Sequence, residues 1–455
     1  MSTEQPSSVA VILAAGKGTR MKSSRAKALF PLCGKPLAYY PVRAVREAGI
    51  ERVVLVVGYQ ADAVRQAVGD GVDYAMQHEQ LGTGHALLSA EETLRGFTGT
   101  VFVHCVDAPL LPSEIIAELL AAHRQSGNAA TILTTRAANP GNYGRIVRTP
   151  SGNVARIVEA RDATAEELAL KEINAGTYCF EAPLIFELLH AITPDNDQRE
   201  YYLTDVIALL CERRQPVGAL VAPDEATVAG INDRVQLAEA EVYLRDQIRK
   251  QHMYNGVTIF DPASTFIDEG VTIGRDTEIH PFTHIYAGTS IGEECTIGPS
   301  SQLFAAKIED RVEVISSRVE HSTIRQGAKV GPFSHLRPKC DIGPGAHIGN
   351  YSELKNTVVG AHSRVHHVGY LGDTTLGEDV NIGAGTITCN FDGKKKSETH
   401  IGNQAFIGSG NLIVAPIAIG DHALTGAGSV VTHDIPAGKV AFGVPARVVR
   451  DRETE

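Results

Sequence analysis

Gly16, Gly18, Arg20 and Lys27 lie close together just after the apolar run Val9–Leu13, in LAAGKGTRM and the AKALF that follows it. Glycines let backbone N–H groups come close to an anion, and Arg20 and Lys27 add positive charge suited to a polyphosphate. A loop of this kind after the first strand of an α/β sheet sits at the strand's C-terminal edge, where phosphates bind. The string is neither a Walker A loop nor a complete G-x-G-x-x-G. A second chemistry is suggested near residue 367. There His366 and His367 follow Glu353 and Lys355 and precede the run Lys394–Lys396. A histidine titrates near neutrality and so is suited to general acid–base work.

Periodicity indicates what must hold these groups. An aliphatic side chain returns at every sixth position in Ile267, Ile273, Ile279, Ile285, Ile291, Ile297 and Leu303. A second run is Ile324, Val330, Leu336, Ile342, Ile348 and Leu354, and a third is Ile401, Ile407, Ile413 and Ile419. At ~3.6 residues per turn a helix would scatter these positions around its surface. A coil with three flat faces keeps them inside: each hexad gives one short strand and a turn, and three hexads close a rung. The C-terminal half is therefore expected to be a parallel β-helix, its rungs stacked at ~4.8 Å.

Before residue 232 the pattern differs. Apolar runs at Val9–Leu13, Val53–Val57 and Val101–Val106 alternate with helical patterns at Pro36–Ala48 and Pro112–Ser126. This predicts an α/β domain around a mostly parallel sheet. From Asp233 to about Gln251 the chain has neither Gly nor Pro, and Val235, Leu237, Ala238, Val242, Leu244 and Ile248 supply an apolar side. That segment predicts a linker helix. The expected divisions are residues 1–232, 233–254 and 255–455.

The full N-terminal string closely resembles the signature of sugar-1-phosphate nucleotidyltransferases, and further islands match in order. Gln77 and the Gln80–His85 stretch, with Gly82 and Thr83, resemble the loop that contacts the nucleobase. Asp107 in CVDAPL matches an aspartate that holds Mg²⁺, and Asn232 matches the second metal ligand. Tyr143–Ile146 with Gly144, then Glu159 and Asn174–Gly176, match the groups that grip the sugar. Leu13, Ala14 and Gly16 join them at the nucleotide. The resemblance implies a Rossmann-like nucleotidyltransferase domain in which a sugar 1-phosphate oxygen attacks the α-phosphorus of a nucleoside triphosphate. Lys27 and Arg20 would serve the phosphates, and no side-chain nucleophile is needed. The chain departs from the family pattern in having Cys105-Val106 before the aspartate, where Tyr-Gly is usual, and Ala26 before Lys27, where Pro is usual.

In the second half, Leu336–Pro338, Glu353–Lys355, His366–Asp373, Asn381–Asn390 and the loop 391–400 resemble the acetyltransferase half of another family. This is the bifunctional N-acetylglucosamine-1-phosphate uridyltransferase/glucosamine-1-phosphate acetyltransferase family, and the match then covers essentially the whole chain. It implies a left-handed coil, His367 as general base, Glu353 as the carboxylate orienting its ring, and the Ala384 N–H as an oxyanion donor. Arg337, Lys355, Tyr370, Asn381 and Lys396 match the holders of the amino-sugar phosphate. Asn390, Phe391, Ser409 and Ala427 match acetyl-CoA contacts. The family's late basic residue for CoA has no clear counterpart, and Arg447 is the candidate for it. The implied co-substrates are acetyl-CoA and UTP, and the implied assembly is a homotrimer. Two other readings are a pyrophosphorylase whose coil serves only assembly, and a silent sugar-nucleotide sensor. The joint presence of His367, Glu353, Lys355 and Tyr370 argues against the first, and that of Lys27, Asp107 and Asn232 against the second.

Composition bounds the partners. Lys and Arg number 42 against 53 Asp and Glu, a formal charge of −11, which disfavours nucleic acid or anionic lipid as a general partner. The start, MSTEQPSS, lacks a signal peptide's basic and apolar regions. No apolar stretch approaches the ~20 residues of a membrane span. Cys33, Cys105, Cys179, Cys211, Cys295, Cys340 and Cys389 lack paired or metal-binding spacing, as in a cytoplasmic protein with reduced thiols.

Overall fold

Strand Ser8–Leu13 is nearly all Val, Ile, Leu and Ala, and its alternate side chains feed two separate cores. Val9, Val11 and Leu13 pack with helices Thr83–Leu88, Leu184–Leu189 and Asp205–Glu212 on one face. Ala10 and Ile12 pack on the other face, with helices Tyr39–Glu47, Ala61–Val68 and Ser113–Ser126. A strand apolar on both faces is what a three-layer α/β/α domain requires. The sheet order is Val217–Ala222, Ala130–Arg136, Glu172–Glu181, Thr100–Cys105, Ser8–Leu13, Arg52–Val57, Asp73–Met76. All neighbours run parallel except Glu172–Glu181, which is antiparallel to both of its own. The computed structural model describes residues 8–196 and 198–452. Of the MSTEQPSS segment, residues 1–7 lie outside these.

The chain folds as two compact units, Met1–Leu244 and Arg245–Glu455. The division falls inside helix Arg234–Tyr254. In the first unit Leu237, Ala240 and Leu244 of this helix pack with Met21, Phe30, Leu37 and Tyr40. In the second, Ile248 packs against the coil's core, and Arg249 donates to the Thr265 carbonyl at 3.2 Å. Val235 and Val242, expected on the apolar side, are instead 67% and 68% exposed. They are seven residues apart and two from Leu237 and Leu244, which puts both on the far side of a 3.6-residue turn.

The second unit is a parallel β-helix. Phe266 pairs with His284 and Thr272 with Ser290, each eighteen residues on, as three hexads per rung demand. Ile267, Ile279, Ile285, Ile297, Leu303, Ile324, Leu336, Ile342, Ile348 and Leu354 are fully buried in one continuous core; Ile273 is only partly so. The hexad gap between Leu303 and Ile324 contains tighter rungs, in which Gln302 pairs with Arg318, sixteen residues on. Farther along Thr375 pairs with His400, twenty-five residues on, because the segment from Asn390 to Glu398 leaves the coil and returns. Buried corner hydroxyls donate to backbone carbonyls of the next rung, as from Thr277 to Gly292 at 2.9 Å and Ser352 to His367 at 2.8 Å. These bonds satisfy polar groups that would otherwise destabilise the interior.

Candidate active sites

In the first unit, a cleft of about 380 Å³ opens at the C-terminal ends of strands 8–13 and 100–105. Leu13, Gly16, Gly18, Arg20, Lys27, Gln77, Gly82, Thr83, Asp107 and Asn232 all line it. Gly18 has φ +66°, and a Cβ there would lie 3.0 Å from Lys27 Cβ, so only glycine allows the loop to fold against that lysine. The turn carrying Lys27 is held by Gln60, whose Oε1 accepts the Ala26 N–H at 2.7 Å. A Cβ on Gly16 would meet nothing within 4 Å, leaving its backbone open to a ligand.

The polar ends converge. Lys27 Nζ is 2.6 Å from Asp107 Oδ2 and 3.0 Å from Asn232 Oδ1, and Arg20 Nη2 donates to the same Oδ1 at 2.7 Å. One carboxylate and one amide oxygen thus face a common point already taken by a cationic nitrogen. Two hard oxygen ligands suit a divalent cation that fills its remaining positions with water and phosphate. Among the described residues no group of three or more His, Cys, Asp or Glu could hold a metal.

Gln77 is buried; its amide donates to the Gly82 carbonyl at 3.2 Å and lies 3.0 Å from His85 Nδ1. It braces its loop from within. Gly82 has φ +106° and a Cβ there would meet the Tyr201 carbonyl at 2.6 Å, so this loop also depends on glycine. Ala14 donates to Val56 O at 2.9 Å beneath the cleft. Gly144, Glu159 and Asn174 form an adjoining group. Asn174 N donates to Gly144 O at 2.9 Å, and a Cβ on Gly144 would lie 3.5 Å from Glu159 Oε1. Burial raises the Glu159 carboxyl above its ordinary pKa; Thr204, donating at 3.1 Å, opposes the rise, while Asp205 and Asp162 add to it.

One residue here escaped the motif reading. His104 is 1% exposed; its Nε2 donates to Ala108 O at 2.9 Å, and Nδ1 accepts from Thr177 Oγ1 at 2.8 Å. The ring ties the turn bearing Asp107 to the bend beside Asn174, where the strand register shifts. Burial lowers its pKa to about 4, so it is neutral at physiological pH. Its only signal was a polar side chain inside the apolar run VFVHC. Cys105, where the family usually has Tyr, lines the cleft with its thiol pushed up to about 12 by burial. Among the described residues the seven cysteines form no disulfide.

In the second unit the candidates gather around one corner of the coil. Gly383–Gly385, Gly408–Gly410 and Gly426–Gly428 are successive Gly-X-Gly turns stacked on each other, with Ala384, Ser409 and Ala427 in the middle. Gly410 N donates to Ala384 O at 2.7 Å, and Gly428 N to Ser409 O at 2.8 Å. A Cβ on Gly383 would lie 2.5 Å from Ser409 N, so the corner must stay bare backbone. The Ala384 N–H has no partner among the described residues, while Gly383 and Gly385 donate to Ile407 and Val368. His367 lies one rung below, exposed, with its carbonyl held by Ser352. Above, Phe442 sits over Gly426, and Arg447 pairs with Phe442 in the final hairpin.

Glu353 Oε1 accepts from Arg337 Nη1 at 2.9 Å, and among the described residues no hydrogen bond joins it to the His367 ring. Ladder pairing of His335 with Glu353 puts Arg337 alongside, and the opposite charges pair there. His366 and His367 both lie between strands Arg364–Val365 and Gly369–Leu376. Their rings are 6.1 Å apart, and His366 packs edge-on against His347 at 4.3 Å.

Lys355 and Lys396 face each other. The Lys396 ammonium, then burial, pull the Lys355 pKa down, with Arg337 contributing. Three basic groups crowded together have the charge that suits a phosphate. Nearby, Asn390 Nδ2 donates to Asp373 Oδ2 at 2.5 Å and Asn356 Nδ2 to Oδ1 at 2.8 Å. Burial works against the Asp373 carboxylate, but these amides and the two lysines outweigh it and hold the pKa low. The loop bearing Lys396 is braced: Phe391 bridges Lys396, Ser397 N donates to Asn390 O at 2.8 Å, and Asp392 accepts the N–H groups of Lys394 and Lys395. The Tyr370 hydroxyl lies against Gly372. Asn381 stands on a different face of the coil from Lys355 and Tyr370.

Comparison with known proteins gives matches in both units. Residues 10–202 match the model of the MobA-like NTP transferase domain. Residues 270–305 and 321–356 match that of the bacterial transferase hexapeptide (six repeats). The chain is 47% identical over 443 residues to the bifunctional protein GlmU of Acetivibrio thermocellus, covering 97% of this chain and 96% of that one. To that of Pelobacter propionicus it is 46% identical, covering 97% of each, and to that of Heliobacterium modesticaldum 47%, covering 95% and 94%.

Proposed function

This chain belongs to the bifunctional GlmU family, and from that premise we propose that it makes UDP-N-acetylglucosamine in two steps at two sites. The coil transfers an acetyl group from acetyl-CoA to the nitrogen of glucosamine 1-phosphate. The N-terminal cleft then transfers a uridylyl group from UTP to N-acetylglucosamine 1-phosphate, releasing pyrophosphate. The observation that carries this reading is that one chain holds two separate clusters of anion-binding groups. Arg20 and Lys27 stand beside the oxygens of Asp107 and Asn232, and Arg337, Lys355 and Lys396 gather on the coil.

On the coil, His367 takes the proton from the amino-sugar ammonium, freeing its lone pair to attack the thioester carbon. The Ala384 N–H donates to the oxyanion that forms; the C–S bond then breaks and the CoA thiol leaves. Arg337, Lys355, Tyr370 and Lys396 hold the sugar phosphate, and Asn381, on another face of the coil, joins them from a second copy of this chain. The bare corner at Ala384, Ser409 and Ala427, with Asn390, Phe391 and Arg447, receives acetyl-CoA. By the family resemblance Glu353 orients the His367 ring, a role that requires its ion pair with Arg337 to open.

In the cleft the chain's task is to align two anions against their repulsion. The Gly16–Gly18 backbone, Arg20 and Lys27 hold the triphosphate; Gln77, Gly82 and Thr83 form the base loop; Gly144, Glu159 and Asn174 hold the sugar. Asp107 and Asn232 would hold Mg²⁺, which supplies charge neutralisation at the phosphates. Among the described residues no helix is long and apolar enough to cross a membrane. We place the enzyme in the cytoplasm as a homotrimer, the hexapeptide coil supplying flat faces for assembly.

A coupled assay tests the function. Purified protein receives acetyl-CoA, glucosamine 1-phosphate, UTP and Mg²⁺, and CoA thiol and pyrophosphate are followed separately. Both should appear, the second depending on the first. Pyrophosphate formation from supplied N-acetylglucosamine 1-phosphate with no CoA release from glucosamine 1-phosphate would reduce the coil to an assembly element.

A further inference from the structure

We propose that the Lys27 ammonium occupies the divalent-cation position until a nucleoside triphosphate draws it away, so that cation and nucleotide enter the cleft together. This rests on the reading of Asp107 and Asn232 as the cation's ligands. Lys27 Nζ lies within hydrogen-bond distance of the ligand oxygen of each, 2.6 Å from Asp107 Oδ2 and 3.0 Å from Asn232 Oδ1. Arg20 holds the Asn232 oxygen a second time, at 2.7 Å. A Mg²⁺ ion bonds oxygen at ~2.0–2.1 Å. It cannot approach both oxygens while an ammonium is bonded to the same two atoms.

The surroundings let only the end of the lysine move. Its backbone turn is pinned by Gln60 through Ala26 N, and Gly18 folds directly over its Cβ. The side chain is almost wholly buried, so the ammonium has few places to go. A triphosphate offers a better one. Its negative oxygens attract Lys27 and Arg20 together, and as both turn to the phosphates the oxygens of Asp107 and Asn232 are released. Glu200, at the rim of the same cleft, is the other acidic side chain lining it. The device makes the free protein a poor cation binder and couples two binding events by mutual exclusion of like charges.

Mn²⁺ serves as the probe, its free concentration read by electron paramagnetic resonance during titration of the full chain. A non-hydrolysable α,β-methylene UTP analogue is present or absent, and Mn²⁺ binding by the analogue alone is subtracted. Wild type should bind Mn²⁺ at least about tenfold more tightly with the analogue. Without nucleotide, Lys27→Met should bind it about tenfold or more tightly than wild type. Equal nucleotide-free affinities for wild type and Lys27→Met would overturn the proposal. If Lys27→Met fails to fold, Lys27→Gln replaces it, and a wild-type affinity unchanged by the analogue overturns the proposal by itself. The double variant Lys27→Met/Asp107→Asn separates the two readings. Loss of the gained affinity supports Asp107 as the ligand, whereas a gain that survives means that the ligand assignment has failed. Asp107→Asn losing binding while Lys27→Met gains none would leave the ligands standing and remove the plug.

Discussion

The backbone N–H of Ile231 donates to the carbonyl of Asp107 at 2.7 Å. The turn after strand 100–105 and the segment leading into the linker helix are thus joined one residue away from Asn232, the partner oxygen. Substituting either oxygen ligand should therefore disturb the chemistry of this cleft and nothing on the coil. Asp107→Ala is expected to slow pyrophosphate release by about 10²–10³-fold, the scale set by losing one preorganised charge contact. CoA release should stay near wild type, and a chelator should reproduce that split. Loss of both activities in a folded variant would contradict the separation of the sites.

His104 gives the N-terminal unit an acid limit. Its folded pKa is lowered to about 4, against 6.5 when unperturbed. As pH falls the unfolded chain takes up the proton first, so this contribution is complete above about pH 6.5 and is lost on the way down to about 4. The amount at stake is on the order of 3 kcal/mol. Urea unfolding of the full chain between those pH values should show a falling midpoint for the first unit. The slope should flatten in His104→Gln, and an equally steep dependence in that variant would assign it to other groups.

For His367, substitution by Ala should cut acetyl transfer by ~10²–10⁴-fold and spare uridylyl transfer. His366 is the internal control: its ring is spent on His347, so His366→Ala should cost stability more than rate. If steady-state assays find the reverse ranking, the base has been assigned to the wrong histidine.

The Lys355–Lys396 pair predicts an alkaline limb. Because Lys396 depresses the Lys355 pKa, Lys355 loses its charge at lower pH than an ordinary lysine. Acetyl-transfer kcat/KM, which reports the free enzyme, should fall correspondingly early as pH rises from neutral to about 10. Lys396→Met should lower kcat/KM at neutral pH through a higher KM for the amino-sugar phosphate, while moving the alkaline limb upward. An unmoved limb would mean that the two ammonium groups do not interact in solution.

Much of this architecture was legible because its cause is local. A buried ladder needs an aliphatic residue at fixed intervals, so Ile267 to Leu303 announce the coil without help from distant parts of the chain. Where a rung tightens between Gln302 and Arg318, the interval breaks, and the pattern is silent although Val314 and Val319 continue the core. The gathering of Lys27, Asp107 and Asn232 could be expected only by resemblance, since over two hundred residues separate the first and last. His104 was missed because what it does depends on Thr177, on a strand that pairs antiparallel in a sheet read as mostly parallel. The ion pair of Glu353 with Arg337 was not legible, because pairing depends on which charge the ladder brings alongside. The apolar side of the linker helix was drawn too wide at Val235 and Val242, because composition alone does not say which side a single helix buries.

The excursion from Asn390 to Glu398 sits between strands that keep their register on both sides, with Thr374, Thr375 and Leu376 meeting Thr399, His400 and Ile401. Apart from its ends, where Asn390 bonds Asp373 and Glu398 accepts from Ile417, the loop is therefore not needed for the register of the coil below and above. Evolution can rewrite Lys394–Lys396 without renegotiating the fold, and so can an engineer. Loop libraries grafted between Cys389 and Thr399 would sample new acceptor preferences on a frame that keeps its spacing whatever hangs from its corner.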